Sequence, residues 1–302
     1  MTLHAKSLVF VHGHHYKPDA GTLDELWNDA LRWGIERDFP KKLAAYDDLN
    51  RRMAYYGDLS NALLGGEYDE ALDVADRRNA LVKLQEIPKP KKFKRYTYEQ
   101  LPGKSALKEA LADIGSPVLG KVGLEKKLIE KISPELAEYW SDTGGLQQTA
   151  RARVHEILDE VLRDSVKVMV ISHCLGAVIT YDVLWGLSQA GREEKVDRLF
   201  TLGCALGNRT VQKNLAGADR SGKDCYPSNI LAWTNLAAED DFICHDKTVA
   251  DDFNAMLKQQ QISSIDDFRI YNLTVRYGKS NPHSSVGYLI HPRLTKLVAD
   301  WL

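Results

Sequence analysis

The chain has 302 residues, of which 44% are hydrophobic and 27% are charged. It carries 40 lysines and arginines against 42 aspartates and glutamates, so its net charge is −2. This balance is typical of a globular protein with one large domain or two small ones, and it argues against a general nucleic-acid binder. The four cysteines are too few and too scattered for a disulfide framework, and no pair has C-x-x-C spacing. We therefore expect free thiols and no zinc ribbon.

The N-terminal segment leads directly into a short apolar run at residues 7–11. That run is too short for the hydrophobic region of a signal peptide. No stretch reaches the roughly 18 apolar residues that a bilayer crossing needs. We therefore expect a cytoplasmic protein without a membrane span.

Short apolar runs alternate with amphipathic segments along most of the chain. Strands are predicted at residues 7–11, 52–57, 166–171, 198–202, 230–235 and 268–275. Helices are predicted at residues 22–35, 146–163, 177–189 and 292–302. For the first helix, Thr22 is the predicted N-cap residue. This alternation predicts an α/β fold with a doubly wound, mostly parallel sheet.

Residues 59–145 have a different character. They are charged, contain five prolines and show only broken helical periodicity, yet they hold too many apolar and aromatic residues to be disordered. We predict an inserted, mostly helical cap here, with the core formed by residues 1–58 and 146–302. A basic run at residues 89–95 lies within the insert, but such runs are usually solvated surface. We expect no nucleic-acid partner.

The sequence Ser172-His173-Cys174-Leu175-Gly176 joins a predicted buried strand to a predicted helix. A strand, a tight turn and a helix form the setting of a nucleophile elbow, in which small flanking residues let the backbone turn sharply. Cys174 would then lie at a helix N-terminus, where the helix dipole favours a thiolate. The alternative is that Cys174 is a small buried hydrophobic residue after a core strand.

This stretch, together with the helix that continues it through Tyr181-Asp182, resembles the α/β-hydrolase superfamily, in particular bacterial hydrolases with an S-H-S-x-G elbow. The resemblance covers residues 7–58 and 146–302 and implies the α/β-hydrolase fold. Cys174 stands where those enzymes carry serine, and cysteine nucleophiles occur in the superfamily, as in dienelactone-hydrolase-like enzymes. The resemblance implies an esterase or thioesterase that forms an acyl-cysteine with a small-molecule acyl substrate and needs no cofactor.

The superfamily order of nucleophile, acid and base directs the search for the other catalytic residues. Similar hydrolases place the acid six residues after an asparagine such as Asn235, which selects Asp241. Asp240 is the competing candidate, and Asp246 is a more distant one. The same three carboxylates are also compatible with an ordinary solvated acidic loop.

The predicted base is His283, in a loop that resembles the family's H-S-x-x-Y pattern, and His291 is its rival. For the oxyanion hole, the resemblance implies the backbone N–H of Leu175, directly after the nucleophile. The second donor is the backbone N–H of His14, because the H-G-x pattern resembles that of lipases and esterases. Gly13 lets the chain approach the substrate closely.

The histidines at positions 12, 14 and 15 also suggest a metal site. No H-E-x-x-H motif or second matching cluster accompanies them, and His245-Asp246 is the only further hint. We therefore expect no metal. Two alternatives to a hydrolase stay open: an acyltransferase that uses the same acyl-cysteine, and a non-catalytic binding protein of the same fold.

Overall fold

A six-stranded parallel sheet forms the centre of the computed structural model, which describes residues 3–103, 133–244 and 246–302. The strands are β1 (His4–Val11), β2 (Asn50–Ala54), β3 (Ser165–His173), β4 (Arg198–Leu202), β5 (Ala232–Ala238) and β6 (Ser264–Ile270). Their order is β2-β1-β3-β4-β5-β6, and each neighbouring pair is parallel. An antiparallel hairpin of β7 (Val275–Arg276) and β8 (Lys279–Ser280) follows the sheet.

Helices connect the strands and flank both faces of the sheet. They are α1 (Ala20–Asp38), α2 (Leu43–Asp47), α3 (Gly57–Leu64), α4 (Glu70–Gln85), α5 (Arg95–Glu99), α6 (Pro134–Ser141), α7 (Leu146–Asp164), α8 (Leu175–Gln189), α9 (Arg209–Gln212), α10 (Asn254–Lys258), α11 (Ser285–Leu289) and α12 (Pro292–Trp301). The predicted α/β class with a doubly wound sheet is confirmed. Within the described ranges, no helix combines the length and apolarity that a membrane crossing requires.

Strand β1 shows why the sheet is buried on both faces. Leu8 and Phe10 join the hydrophobic cluster that includes α1 and α12, whereas Val9 and Val11 join the cluster that includes α7 and α8. Successive side chains of a strand point to opposite faces, so a strand covered on both sides needs apolar residues at every position. This is why residues 8–11 form an uninterrupted apolar run in the sequence.

Two details of the sequence prediction are wrong. The last sheet strand is β6, four residues earlier than predicted, and it carries Asp267 at its centre. That carboxylate accepts hydrogen bonds from Asn235 Nδ2 at 2.9 Å and Val249 N at 3.0 Å, so a paired polar group occupies a position where the pattern called for an apolar one. The N-cap of α1 is Asp19, whose carboxylate accepts from the backbone N–H of Thr22 at 3.0 Å.

The described parts of the predicted insert pack against the core. Leu84 and Tyr98 belong to the cluster on the α1 side, and Leu136 and Tyr139 belong to the cluster on the α8 side. The predicted boundary at residues 58–59 falls inside α3. Residues 104–132 of the predicted cap lie outside the described residues, and the assignment of residues 59–145 as a separate cap stays a prediction.

Helix α4 is joined to the β7–β8 hairpin by buried ion pairs. Arg276 donates to Asp73 at 2.6 Å and also to Asp76, and the Tyr277 amide donates to Asp76 at 2.9 Å. Because these groups are buried, removal of one partner would leave the other as an unpaired buried charge and destabilise the protein. The insert therefore holds the hairpin that leads into the His283 loop.

Candidate active site

The predicted nucleophile lies where the strand order reverses. Strand β1 pairs with β2 on one side and β3 on the other, so the connections after β1 and β3 leave in different directions. In parallel α/β sheets such a switch point opens a crevice at the carboxyl ends of the strands. Gly13 follows β1 and Cys174 follows β3, and a Cβ added to Gly13 would lie 2.6 Å from the Cβ of Cys174.

Cys174 occupies a sharp turn between β3 and α8. Its φ and ψ are 54° and −121°, a strained conformation for a residue with a side chain. Its amide donates to the Leu202 carbonyl at 3.0 Å, which fixes the turn against β4. Ser172, two residues before Cys174, is buried and donates its hydroxyl to the Phe200 carbonyl at 3.1 Å. The backbone therefore has the form of a nucleophile elbow, and a hydrogen bond satisfies the buried serine.

We expect Gly176→Ala to destabilise the protein by about 1–3 kcal/mol, because its Cβ would lie 2.2 Å from the His12 carbonyl oxygen. Gly186→Ala is the matched control in the same helix, where a Cβ meets no atom within 4 Å. It should stabilise the protein by up to about 1 kcal/mol. Urea unfolding measures both values, and equal effects of the two substitutions would contradict the close approach of the elbow to β1.

Asp241 and His283 form a buried hydrogen-bonded pair. His283 Nδ1 lies 2.9 Å from Oδ2 and 3.0 Å from Oδ1 of Asp241. Tyr288 donates its hydroxyl to Oδ2 at 2.8 Å, and the Ile243 amide donates to Oδ1 at 3.1 Å. Burial opposes ionisation of Asp241, but His283 and these donors outweigh it and hold the pKa of the carboxyl below its usual value. Asp241 is thus an anion that accepts from Nδ1–H and leaves Nε2 to face the crevice.

A buried asparagine, Asn272, fixes the loop that carries His283. Asn272 Nδ2 donates to the carbonyls of Pro282 and Ser284, each at 2.9 Å. The carbonyl of His283 itself lies 2.9 Å from His173 Nε2. These bonds hold the backbone on both sides of the imidazole, so the ring direction is set by the loop as well as by Asp241.

The rival residues have other partners. Asp240 accepts from the Tyr98 hydroxyl at 3.0 Å, which links it to the insert. Asp246 accepts from the Thr248 amide at 3.1 Å, and His291 caps α12 by accepting from the Arg293 amide at 3.1 Å. His245 lies outside the described residues. Of the candidates weighed, Asp241 and His283 are the two that the structure brings together.

The His14 side chain lies near Cys174, and a carboxylate that the sequence did not reveal, Glu135, lies beside His14. The His14 and Glu135 side chains are only 1% and 0% exposed, and His14 Nδ1 lies 3.7 Å from Glu135 Oε2. The other oxygen of Glu135 accepts from the His15 amide at 2.5 Å. The sequence pointed to His14 for its backbone N–H, and its side chain was considered only as a metal ligand. Glu135 lies in the insert without a motif, so no signal in the sequence leads to it.

Cys174 lies close to both His14 and His283. One ring nitrogen of His14, one of His283 and the Cys174 sulfur all lie within 4.8 Å of one another. Burial opposes ionisation of the thiol, but the two histidines outweigh it and lower the pKa of Cys174 to about 6. Burial likewise opposes protonation of His283, but Asp241 and Cys174 raise its pKa to about 10. The groups thus favour a thiolate–imidazolium pair at neutral pH.

We expect the alkylation of Cys174 by iodoacetamide to speed up between about pH 5 and 7 and to level off above, because the thiolate is the reacting form and the thiol pKa is about 6. Mass spectrometry of the modified peptide follows the rate. A Cys225→Ser background removes the one thiol of the four that is not buried. A rate that rises around the free-thiol value of about 8.5 would contradict the ion pair.

His12 and Lys17 shape the loop that follows β1. His12 Nε2 accepts from the Tyr56 amide at 3.0 Å, and burial lowers the pKa of this histidine to about 3. Lys17 is buried and donates to the carbonyls of His14 and His15, and burial together with Arg77 lowers its pKa to about 7. His12 is therefore a neutral packing residue, and Lys17 fixes the loop from which His14 extends.

The predicted oxyanion donors belong to two segments close to the thiol. Leu175 begins α8, so its amide has no acceptor within that helix. His14 directly follows Gly13, where an added Cβ would lie 2.6 Å from the Cβ of Cys174. Leu175 and His14 therefore lie beside the nucleophile, and their role as oxyanion donors stays a prediction.

The other cysteines differ electrostatically from Cys174. Burial raises the pKa of Cys204 to about 12, and burial together with Asp241 raises that of Cys244 well above its usual value. Cys225 is partly exposed and its thiol donates to the Arg220 carbonyl at 2.9 Å. Neighbouring histidines lower the pKa of Cys174, in contrast to Cys204 and Cys244.

Two groups of side chains in the described residues have the composition of metal ligands. One consists of His14, Cys174 and His283, and the other of His14, His15 and Glu135; in each, the ligand atoms lie within 4.8 Å of one another. The predicted absence of a metal is not tested by this geometry.

No protein-family model matches the chain, and no curated protein matches it. Two solved structures overlap with it in part: the esterase Est22 and a serine-to-alanine mutant of that esterase. In both cases the identity is 11%, the overlap covers 50% of this chain and 52% of the esterase chain, and the TM-score is 0.26. The chain thus matches about half the length of these proteins, and at this similarity no activity is carried over.

Proposed function

We propose that the protein is an α/β-hydrolase-type esterase or thioesterase in which Cys174 is the nucleophile, His283 the general acid and base, and Asp241 the residue that orients His283. The observation that carries this proposal is the buried pair of Asp241 and His283 beside a strained, acidic thiol. A surface acidic loop or a purely structural cysteine gives no reason for all three features to meet at the carboxyl edge of the sheet.

In the first half of the reaction, the Cys174 thiolate attacks the acyl carbonyl carbon and a carbon–sulfur bond forms. The negative charge moves to the carbonyl oxygen, where the N–H groups of His14 and Leu175 are proposed to stabilise it. The oxyanion then collapses, and the alcohol or thiol leaves with the proton from His283 Nε2. The product is an acyl thioester on Cys174.

In the second half, water attacks that thioester and Cys174 leaves as a thiolate. The thiolate charge is among the causes that raise the pKa of His283, so acylation removes part of the stabilisation of the imidazolium. His283 then loses its proton more readily and can serve as the base that takes a proton from water. Asp241 keeps Nδ1–H fixed throughout, so that Nε2 is the nitrogen that exchanges protons.

An acyltransferase is a second candidate, favoured by the burial of the nucleophile. Cys174 is only 5% exposed, so the acyl thioester would be shielded from bulk water. Such shielding gives an incoming amine or alcohol an advantage over water. The chemistry up to the acyl-cysteine is the same in both cases, and only the final acceptor differs.

Mixing the protein rapidly with p-nitrophenyl esters and with acyl thioesters tests the proposal. We expect a burst of leaving group close to one equivalent per thiol, followed by steady turnover. Steady turnover that appears only with an added amine or alcohol would favour the transferase. No burst with any acyl length would contradict both catalytic candidates and favour a binding protein.

A further inference from the structure

The crevice around Cys174 contains more unsatisfied donor atoms than an acyl-transfer site requires. Both ring nitrogens of His14, Oε2 of Glu135 and Nε2 of His283 are buried and have no hydrogen-bond partner among the described residues. Buried polar atoms normally have a partner, so a cluster of unpaired ones indicates that something else binds there. The nitrogens of His14 and His283 lie beside the Cys174 sulfur, which is itself buried, and Glu135 lies beside His14.

The identity of these atoms indicates a metal ion of a particular class. A thiolate and two imidazole nitrogens are ligands for borderline-soft ions such as Zn²⁺ and Cd²⁺, whereas Mg²⁺ and Ca²⁺ prefer oxygen. In a tetrahedral zinc site with normal bond lengths the ligand atoms are roughly 3.5 Å apart. The three atoms here are all within 4.8 Å of one another, so small side-chain rotations would close the site.

His283 has the hydrogen-bonded carboxylate that metal-bound histidines usually have, and His14 has a carboxylate nearby. His283 Nδ1 is 2.9 Å from Asp241, and His14 Nδ1 is 3.7 Å from Glu135. A carboxylate behind each imidazole fixes the ring and makes the remaining nitrogen a better ligand. Two such carboxylates and one thiolate also supply the negative charge that a buried divalent ion needs.

We propose that the crevice binds one Zn²⁺-class ion through Cys174 Sγ, His14 Nε2 and His283 Nε2, and that this ion reversibly blocks acylation. The ion takes the lone pairs of the nucleophile and of the base, and the proton on His283 passes to solvent. The fourth position of the ion is left to water. The blocking of acylation rests on the proposed function, whereas the binding of the ion does not.

The binding is tested with the reduced, chelator-treated protein titrated with Co²⁺ in the absence of substrate. We expect a thiolate-to-cobalt charge-transfer absorption that saturates at one ion per chain and is removed by added Zn²⁺. Cys174→Ser should lose this absorption, whereas the matched Cys225→Ser should keep it. Glu135→Gln should weaken binding by about 10- to 100-fold, since it removes the carboxylate behind His14.

Absence of the absorption in the native chain, or its survival in Cys174→Ser, would overturn the site. Unchanged affinity in both Glu135→Gln and His14→Gln would also overturn it, because the ion would then be held without His14. Circular dichroism shows whether each variant is folded. If Glu135→Gln or His14→Gln does not fold, the comparison of Cys174→Ser with Cys225→Ser still tests the site.

The blocking effect is measured with the burst assay. Zn²⁺ should suppress the burst and a chelator should restore it, while faster turnover with Zn²⁺ would contradict inhibition. A burst without cobalt absorption would overturn the metal site and leave the proposed function intact. Cobalt absorption by a protein that shows no burst when it is metal-free would overturn the proposed function and leave the metal site intact.

Discussion

Cys174→Ala should lower ester or thioester turnover by about 10⁴-fold or more and remove the burst, because it deletes the atom that is proposed to form the covalent intermediate. The substitution removes one sulfur atom from a buried side chain at the start of α8, so the protein should stay folded. Stopped-flow release of p-nitrophenol measures the effect.

Cys225→Ala is the matched control for this prediction. It deletes the same atom from a partly exposed cysteine in the loop before β5, remote in sequence from the elbow. Its turnover should stay within about twofold of the native value, in keeping with the small effects of most surface substitutions. Turnover that survives in Cys174→Ala would show that another nucleophile acts and would contradict the assignment.

Asp241→Asn should reduce turnover by about 10³- to 10⁴-fold with little change in structure. An amide at this position can donate to Nδ1, so His283 would carry its proton on the wrong nitrogen. The loss of the anion would also lower the pKa of His283, because Asp241 is the largest cause that raises it. The thiol pKa of Cys174 should then rise, which the pH profile of alkylation would show.

Asp240→Asn is the matched control, one residue away. Asp240 has a φ of 58°, a conformation that asparagine also adopts readily, and its carboxylate accepts from the Tyr98 hydroxyl. We expect less than about a tenfold loss of turnover. The opposite order of effects would mean that Asp240 and not Asp241 orients the base.

The core of the fold was predictable because its elements have simple periodic signals. β1 and β3 contain the apolar runs 8–11 and 168–171 because both faces of the sheet are covered there, and α7 repeats apolar residues at helical spacing. β6 was misplaced because its interior carries the exposed Asp266 and the partly buried Asp267, whose carboxylate pairs with Asn235 elsewhere in the chain. Such partners have no local signature, so a pattern based on hydrophobicity misses them.

The residues of the candidate site that belong to a known sequence motif were predictable. The strand–turn–helix around Cys174 and the two loops with Asp241 and His283 follow a known chain order, and the structure brings Asp241 and His283 together. The His14 side chain and Glu135 were missed because they meet through the packing of α6 on the crevice, about 120 residues apart in sequence. Long-range contacts of this kind are invisible without coordinates.

The central claim is that an acyl group is carried on Cys174, and the most direct test is to stop the reaction with acid during the burst and determine the mass of each peptide. The account predicts one acyl group per chain on the peptide that contains Cys174, which disappears as product forms and is absent in Cys174→Ala. Steady turnover with no acyl group on that peptide at any time, or with the acyl group on another residue, would contradict it.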